Sequence, residues 1–488
     1  SGGTPVVQRR YEYAPQTVSG STVYKLSKET IYRNEDGTGA LETSFAHTFY
    51  SGTTQVQQRT TTLPVVPTDQ NGSGVAATRK EYFDTSSRRT WAMDERGFIA
   101  HNVYNLATGA LIRQIQDVDT TQVVGAPPGW TTPAGGGLNL ITDAISDDQG
   151  RITQSLGPSH TVDLSGTATT IRRAEWTVYD DVNHVTYSAG GYAAGSGPNY
   201  SFALINPVSI AKRDANGKIL EEIQATAAST SGTLAEIIIA AGGGSAAFPQ
   251  TSYVRWTTYQ YTDCCLAVSL RVYHLIPASG PGVSGTNYDQ TNYGYDVMKR
   301  RNRTVTPGGT ITDIVFDPRG LSLTTHIGTN DDGGTAADPT GGGSNSNNNM
   351  VLVTENEYDG GQAGGDGNLT QQTQYATASD TRVTAFTYDW RDRRITTDGE
   401  VDVFETLTYD NLNRIVKAER YDTTEAGHLV ARNETHYDNR SRVFEIIRYG
   451  IDPSTGTVGN SLEENNWYDA VGNLLKSLPS GSNLFTKS

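Results

Sequence analysis

Apolar and polar residues alternate with period two through much of this 488-residue chain. Val401, Val403, Leu407 and Tyr409 place like residues at every second position, with Glu405 breaking the series once. That is the pattern of a strand with one face turned to a core. At Tyr409 the alternation ends in a Tyr-Asp pair, three spacer residues follow, and a second segment runs from Arg414 to Arg420. A Tyr can end a strand with its ring on one face and its hydroxyl reaching a partner. An Asp can accept backbone N–H bonds from residues two further on and so close a turn. Two strands of about five or six residues plus two turns need roughly 20 residues, so the pattern predicts one β-hairpin per unit.

The unit recurs. Tyr388-Asp389 leads to Arg393, Tyr409-Asp410 to Arg414, Tyr437-Asp438 to Arg442, and Tyr468-Asp469 to Asn473. The steps of 21, 28 and 31 residues lie in the range of repeat architectures. Degenerate forms of the motif precede them at Phe83, Met93, Ser146, Tyr179, Arg213, Tyr295, Phe316 and Tyr358. Twelve motifs at two strands each imply about 24 strands, more than a filled barrel can hold. The reading is an all-β, long antiparallel β-hairpin array over residues 1–488, wound as a spiral sheet or hollow shell, or split into sandwiches, or running on as a solenoid. Residues 1–350 hold degenerate repeats and 351–478 the clear ones. Pro and Gly clusters predict long loops at 64–74 and 125–137, and the Gly/Asn/Ser/Asp tract 330–349 predicts a mobile surface loop. Residues 190–198 and 226–249 interrupt the spacing, and Ala235 to Ala241 fits either a short helix or a buried strand.

These motifs resemble the YD-repeat, or Rhs-repeat, family, whose repeats carry Tyr-Asp followed by Gly or Asn, Arg and an apolar residue. The resemblance implies a long antiparallel sheet wound into a hollow shell, as in bacterial polymorphic toxins, insecticidal toxin components and teneurins. It also implies a structural role, enclosing or displaying a cargo such as a C-terminal toxin, in a secreted or cell-surface protein. Toxin-bearing members end the shell with an Asp-Pro-x-Gly segment linked to self-cleavage. Here the match stops at Asp317-Pro318-Arg319-Gly320 and clear repeats continue past it, so it reads as an internal repeat.

Composition narrows the chemistry. A net charge of −15 disfavours nucleic acid and anionic membranes as partners. The longest apolar candidate, Leu234 to Ala241, is broken by Glu236 and is far short of the ~18 residues a membrane helix needs. The first residue is Ser and no leader pattern follows it, so the chain reads as a piece of something longer. Cys264 and Cys265 are adjacent, which offers buried free thiols on a strand or a strained vicinal disulfide.

No site stands out. The histidines at 47, 101, 160, 184, 274, 326, 428 and 436 show no metal-ligating spacing, and no Gly-x-Ser-x-Gly elbow or phosphate-binding loop occurs. The Asp-rich loops Asn330-Asp331-Asp332-Gly333 and Gly365-Asp366-Gly367-Asn368 lack the regular Asp spacing of a calcium loop. The cluster Lys299-Arg300-Arg301-Asn302-Arg303 reads as a strand face paired with nearby acids. The expectation is no enzyme, with no catalytic, cofactor-binding or metal residues. The expected partners are further repeats of the same polypeptide, additional copies end to end, or an encapsulated toxin. Trp390 and Trp467 keep a second reading open, an adhesion or carbohydrate-binding module.

Overall fold

The computed structural model describes residues 5–197, 199–263, 265–343, 347–362, 364–399, 403–482, 484 and 486–487. Among the described residues, strands account for 31 elements, from Arg9–Val18 to Thr486–Lys487, with one seven-residue α-helix, Leu234–Ala240, and a four-residue one, Gly244–Ala247. The strand pairs are antiparallel and join strands consecutive in the chain, for example Arg9–Val18 with Ser21–Tyr32 and Val403–Tyr409 with Ile415–Tyr421. The fold class is the all-β hairpin array expected from the alternation. There are more strands than the Tyr-Asp motifs imply because some hairpins close without one. Ser19-Gly20 and Ser165-Gly166 each place two successive residues at positive φ, the two-residue turn that matches strand twist.

The chain forms two compact units. Unit 1 comprises Ser1–His101, Asp117–Leu138 and Glu355–Ser488; unit 2 comprises Asn102–Gln116 and Asn139–Thr354. Two of the four divisions fall inside the strands Ile99–Tyr104 and Val351–Tyr358, and the other two lie between strands.

Unit 2 holds the larger apolar core. Trp176, Tyr187, Leu204, Val208, Ile210, Ile223 and Trp256 are buried on one sheet face together with Leu234, Ile237, Ile238 and Phe248 of the insertion at 226–252. The ambiguous segment is therefore a helix. Thr233 accepts a hydrogen bond from the Glu236 N–H while the Glu236 carboxylate accepts from the Thr233 N–H, a reciprocal cap that fixes the first turn. Gly190 and Gly191 open the segment that interrupts the motif spacing. They sit inside Val185–Ala194, where a Cβ on Gly191 would strike the Trp176 ring and the Ala203 carbonyl. Gly is required there by close approach; Pro198, the end of that predicted interruption, lies outside the described residues.

The segments 64–74 and 125–137 are loops, the first with a 3-10 turn at Thr68–Gln70, and each buries an apolar side chain, Val66 and Trp130. The tract 330–349 is largely exposed but well stitched in its described part. Asn349 Oδ1 accepts from the N–H groups of Thr329 and Asn330, and Asn348 Nδ2 donates to the Pro339 and Gly341 carbonyls. Residues 344–346 lie outside the described residues.

Candidate functional site

The chemistry of this chain is concentrated in the turns of its Tyr-Asp motifs. In the hairpin at Tyr409, Asp410 N–H donates to the Arg414 carbonyl at 3.0 Å and Asn413 N–H to the Asp410 carbonyl at 3.1 Å. Asp410 Oδ1 accepts from the N–H groups of Leu412 and Arg414 at 2.9 and 3.0 Å, and Oδ2 accepts from Arg414 Nε at 2.7 Å. Asn413 has φ 63°, and the strand register shifts between Thr408 and Tyr409. This is a three-residue hairpin loop that ends in a left-handed residue and a bulge. The three-residue spacer thus has a cause: two turn residues and one at positive φ. Asp389 with Arg393 and Asp438 with Arg442 repeat the bonds, and Asp469 makes them with Asn473. Tyr388, Tyr409, Tyr437 and Tyr468 each end a strand.

The remaining motif atoms bind the next repeat. The Arg393, Arg414 and Arg442 guanidiniums lie 5.0, 4.3 and 4.7 Å from the ring centres of Tyr409, Tyr437 and Tyr468, within cation–π range. Those tyrosine hydroxyls donate back to the carbonyls of Arg394, Ile415 and Val443. Arg393 Nη1 and Arg442 Nη1 also donate to the carbonyls of Asp410 and Asp469. In unit 2 the same link joins Arg300 to Phe316 and to the Asp317 carbonyl. Tyr, Asp and Arg are together one device for holding hairpin to hairpin. Burial works against the charge of Asp389, yet the N–H groups of Arg391 and Arg393 and the Arg393 guanidinium hold its carboxyl below the ordinary range.

Unit 1 adds a contact that no local pattern announces. Its first hairpins seat their turns on the motif turns of its last hairpins, in the same order along both runs. Asn411 is 0% exposed. Its Nδ2 donates to the carbonyls of Val7 and Tyr32, its N–H to Arg33, and its Oδ1 accepts from Arg391 Nη2. Asn439 Nδ2 donates to Val65 and its N–H to Gln70 Oε1, while its Oδ1 accepts from Arg33 Nη1. Arg440 Nε donates to the Pro64 carbonyl, and Asn71 Nδ2 reaches Phe444, Asn465 and Asn466. Glu35 pairs with Arg393 at 2.9 Å and Arg96 with Asp469 at 3.3 Å. The partners stand 358 to 406 residues apart. Buried polar atoms that find all their partners fix one register.

Unit 2 contains a cross-strand row of titratable groups. Arg303, Asp313 and His326 are direct neighbours on three consecutive strands, and Asp331 binds Arg303 with both oxygens. Burial, helped by the Asp331 charge and opposed by Arg303, raises the Asp313 carboxyl to about 6. Burial lowers His326, whose Nδ1 has no hydrogen-bond partner among the described residues. Two depressions of 380 and 470 Å³ also open on unit 2. One is floored by Ser188, Ser209, Gln224, Arg213 and Arg255; the other lies beside Trp176, Tyr179 and Arg151.

In the predicted basic cluster Arg300 pairs with Asp296, Arg303 with Asp331, and Arg301 lies on the Tyr293 ring, which accounts for the cluster as a paired strand face. Asp331 and the loop at Gly367 are engaged by Arg303 and by the Asp359 carboxylate. Trp390 is half in solvent and Trp467 partly covered beside Lys476. Asp317 caps its turn and binds Arg319, as an internal repeat would. Cys265 is exposed at the left-handed turn position, φ 93°, and not buried on a strand. The vicinal disulfide turns on Cys264, which lies outside the described residues. One motif turn is hidden in the sequence because its Asp is replaced: Thr262 N–H bonds the Leu266 carbonyl in the same turn. The turn after Tyr104 is one residue longer, closed by Asn105 N–H on the Ala110 carbonyl, with Asn105 Oδ1 accepting from the N–H groups of Ala107 and Thr108. Tyr261 before Thr262 is the signal that could have revealed the hidden turn.

The protein is thus, by fold and by its motif turns, an antiparallel β-hairpin array. No family model matches the chain and no curated protein matches it. Among solved structures it is similar to TcdB2-TccC3-TEV at 13% identity and TM-score 0.36, covering 95% of this chain and 26% of that one. TcdB2-TccC3-Cdc42 matches at 12% identity and TM-score 0.36, covering 94% of this chain and 27% of that one. TcdB2-TccC3 without its hypervariable C-terminal region matches at 11% and 0.36, covering 98% and 27%. The chain spans about a quarter of the length of those chains.

Proposed function

We propose that this chain is a structural segment of a YD/Rhs-type β-shell in a larger secreted or cell-surface protein, where it encloses or displays a cargo such as a toxin domain. The observation that carries the reading is the fate of the motif chemistry: the hydroxyls of Tyr409 and Tyr437, the carboxylates of Asp389, Asp410 and Asp438 and the guanidiniums of Arg393, Arg414 and Arg442 engage their own turns and neighbouring repeats. Such a segment turns over no substrate. Its partners are further repeats of the same polypeptide, and it takes no nucleic acid, in keeping with the charge of −15. No helix of the described residues is long and apolar enough to cross a membrane, which says nothing of a β-barrel.

An electron-microscopy map of the polypeptide that contains this chain tests the reading. A continuous wound wall around an interior closed to bulk solvent supports it; a sheet open to solvent on both faces contradicts it. A second reading, carbohydrate binding, is favoured by the exposed rings of Tyr11, Tyr13 and Tyr24 on the first hairpin. Glycan-array binding lost on Tyr13→Ala would select it.

A further inference from the structure

We infer that the sheet face of unit 2 opposite its apolar core binds an acidic sugar, a carboxylate carried on a polyhydroxylated ring. The strands Val185–Ala194, Ser201–Arg213, Ile219–Ala225 and Tyr253–Tyr261 lie side by side. Successive residues of a strand point to opposite faces. Tyr187, Ile210, Ile223 and Trp256 face the core, so Ser188, Ser209, Gln224 and Arg255 face away from it. These four form one row across the sheet, each opposite the next, and Thr186, Ala211, Glu222 and Thr257 form the row beside it. Small side chains stand together on the first two strands, and long ones rise on the next two. The face therefore sinks into the depression of 380 Å³, within the range of small-molecule sites.

The polar groups of this depression are uncommitted. The hydroxyls of Ser188, Ser209 and Thr257 and the amide of Gln224 have no hydrogen-bond partner among the described residues. Arg213 and Arg255 also line it, and neither forms an ion pair among the described residues; Arg213 reaches only the Thr186 hydroxyl, at 3.2 Å. The motif arginines are unlike them, each being held by its Asp, as Arg300 is by Asp296. Glu222, the one carboxylate of the lining among the described residues, accepts from the Tyr259 hydroxyl at 2.6 Å. Burial and that bond push Tyr259 up to about 12, so the hydroxyl keeps its proton at neutral pH.

Two guanidiniums against one carboxylate leave surplus positive charge, and a planar guanidinium takes a carboxylate through two parallel bonds. Hydroxyls and an amide both donate and accept, as the hydroxyls of a ligand require. No aromatic ring lines the depression among the described residues, so a flat heteroaromatic ligand has nothing to stack on. A carboxylate and several hydroxyls on one small molecule describe a sugar acid. The site goes beyond the scaffold reading and does not depend on it, and it is separate from the exposed tyrosines of the first hairpin, which belong to unit 1.

Titration calorimetry of the full chain with glucuronate, glucose and acetate tests the inference. Glucuronate is expected to bind, and glucose, without the carboxylate, and acetate, without the hydroxyls, to bind about tenfold more weakly or less. Arg255→Ala changes an exposed side chain and is expected to weaken glucuronate about tenfold with an unaltered circular dichroism spectrum. Ser209→Leu fills the floor and is expected to abolish binding, while Tyr13→Ala leaves it unchanged. Methyl glucuronide separates the two sources of such a ligand: retained binding assigns the end of a glycan chain and lost binding a free sugar acid, and either supports the site. Glucuronate that fails to bind at millimolar concentration overturns the inference. So does acetate or glucose that binds as tightly as glucuronate, or binding that Arg255→Ala and Ser209→Leu both leave unchanged. None of these results bears on whether the interior of a wound wall is closed.

Discussion

The same Tyr-Asp turn lives two different lives in this molecule. At Asn411 of unit 1 the residue after the motif Asp is buried, and its amide bonds to backbone some 400 residues away in sequence, at Val7 and Tyr32, while Trp390 after Asp389 stays exposed. In unit 2 the equivalent residue projects into water, as Val297 does. The turn itself hardly changes: Asp296 takes the N–H groups of Met298 and Arg300 at 2.9 Å just as Asp410 takes those of Leu412 and Arg414. The lesson is that Asp and Arg build the hairpin while the residue between them decides what the hairpin meets. Unit 1 is closed by hydrogen bonds between distant turns, and unit 2 by an apolar cluster under its helical insertion.

If that contrast is sound, the largest effect belongs to Asn411. Asn411→Leu removes the amide that satisfies two carbonyls and Arg391 in a sealed site, and should cost about 3 kcal/mol, since each stranded buried polar group costs ~1–3 kcal/mol. Urea unfolding measures the loss, and hydrogen exchange should place it in residues 5–40 and 390–440. Protection lost only in unit 2 would break the comparison.

Next in size is Asp313 of unit 2, where the sign is opposite. Its folded pKa of about 6 lies above the ordinary carboxylate value, so the charged form destabilises the fold above pH 6, and the penalty disappears once pH falls below about 4, where folded and unfolded chains are both protonated. Asp313→Asn should therefore stabilise by about 1–3 kcal/mol at pH 7.5, because each tenfold change in an acid constant is worth about 1.4 kcal/mol, and by almost nothing at pH 4. The motif carboxyls Asp296, Asp389 and Asp469 are held low, so their contribution is full above the ordinary value near pH 4 and is lost as pH falls through their depressed values. A pH series of unfolding midpoints separates the two behaviours.

The smallest effect sharpens the contrast within one residue type. Asp296→Ala should cost about 1 kcal/mol through its turn bonds, and Asp438→Ala, only 1% exposed under the first hairpins, roughly twice that. Equal losses would mean that seating adds nothing to the turn.

Much of the fold is legible in residues 386–476, where Tyr, Asp and Arg recur and each local preference agrees with the hairpin. The seam of unit 1 is not legible there. Asn411 and Asn439 look like ordinary turn residues, and nothing periodic links them to Tyr32 or Val65. The turn at Thr262 is hidden because a hydroxyl can replace the carboxylate in the same bond. Gly190 and Gly191 open a segment that interrupts the motif spacing, and nothing along the chain shows that the Trp176 ring needs Gly191 inside a strand. The burial of Asp313 depends on three strands and a loop and has no signature along the chain.

Electron–electron double resonance tests most directly whether the first hairpins of unit 1 are seated on its last motif turns. Spin labels at Glu35→Cys and Trp390→Cys, both exposed, in a chain carrying Cys264→Ser and Cys265→Ser, should give a single narrow distribution at short separation, because Glu35 pairs with Arg393. The distribution should broaden and lengthen when Asn411→Leu is added. A broad, long distribution in the chain that retains Asn411 would contradict the seating.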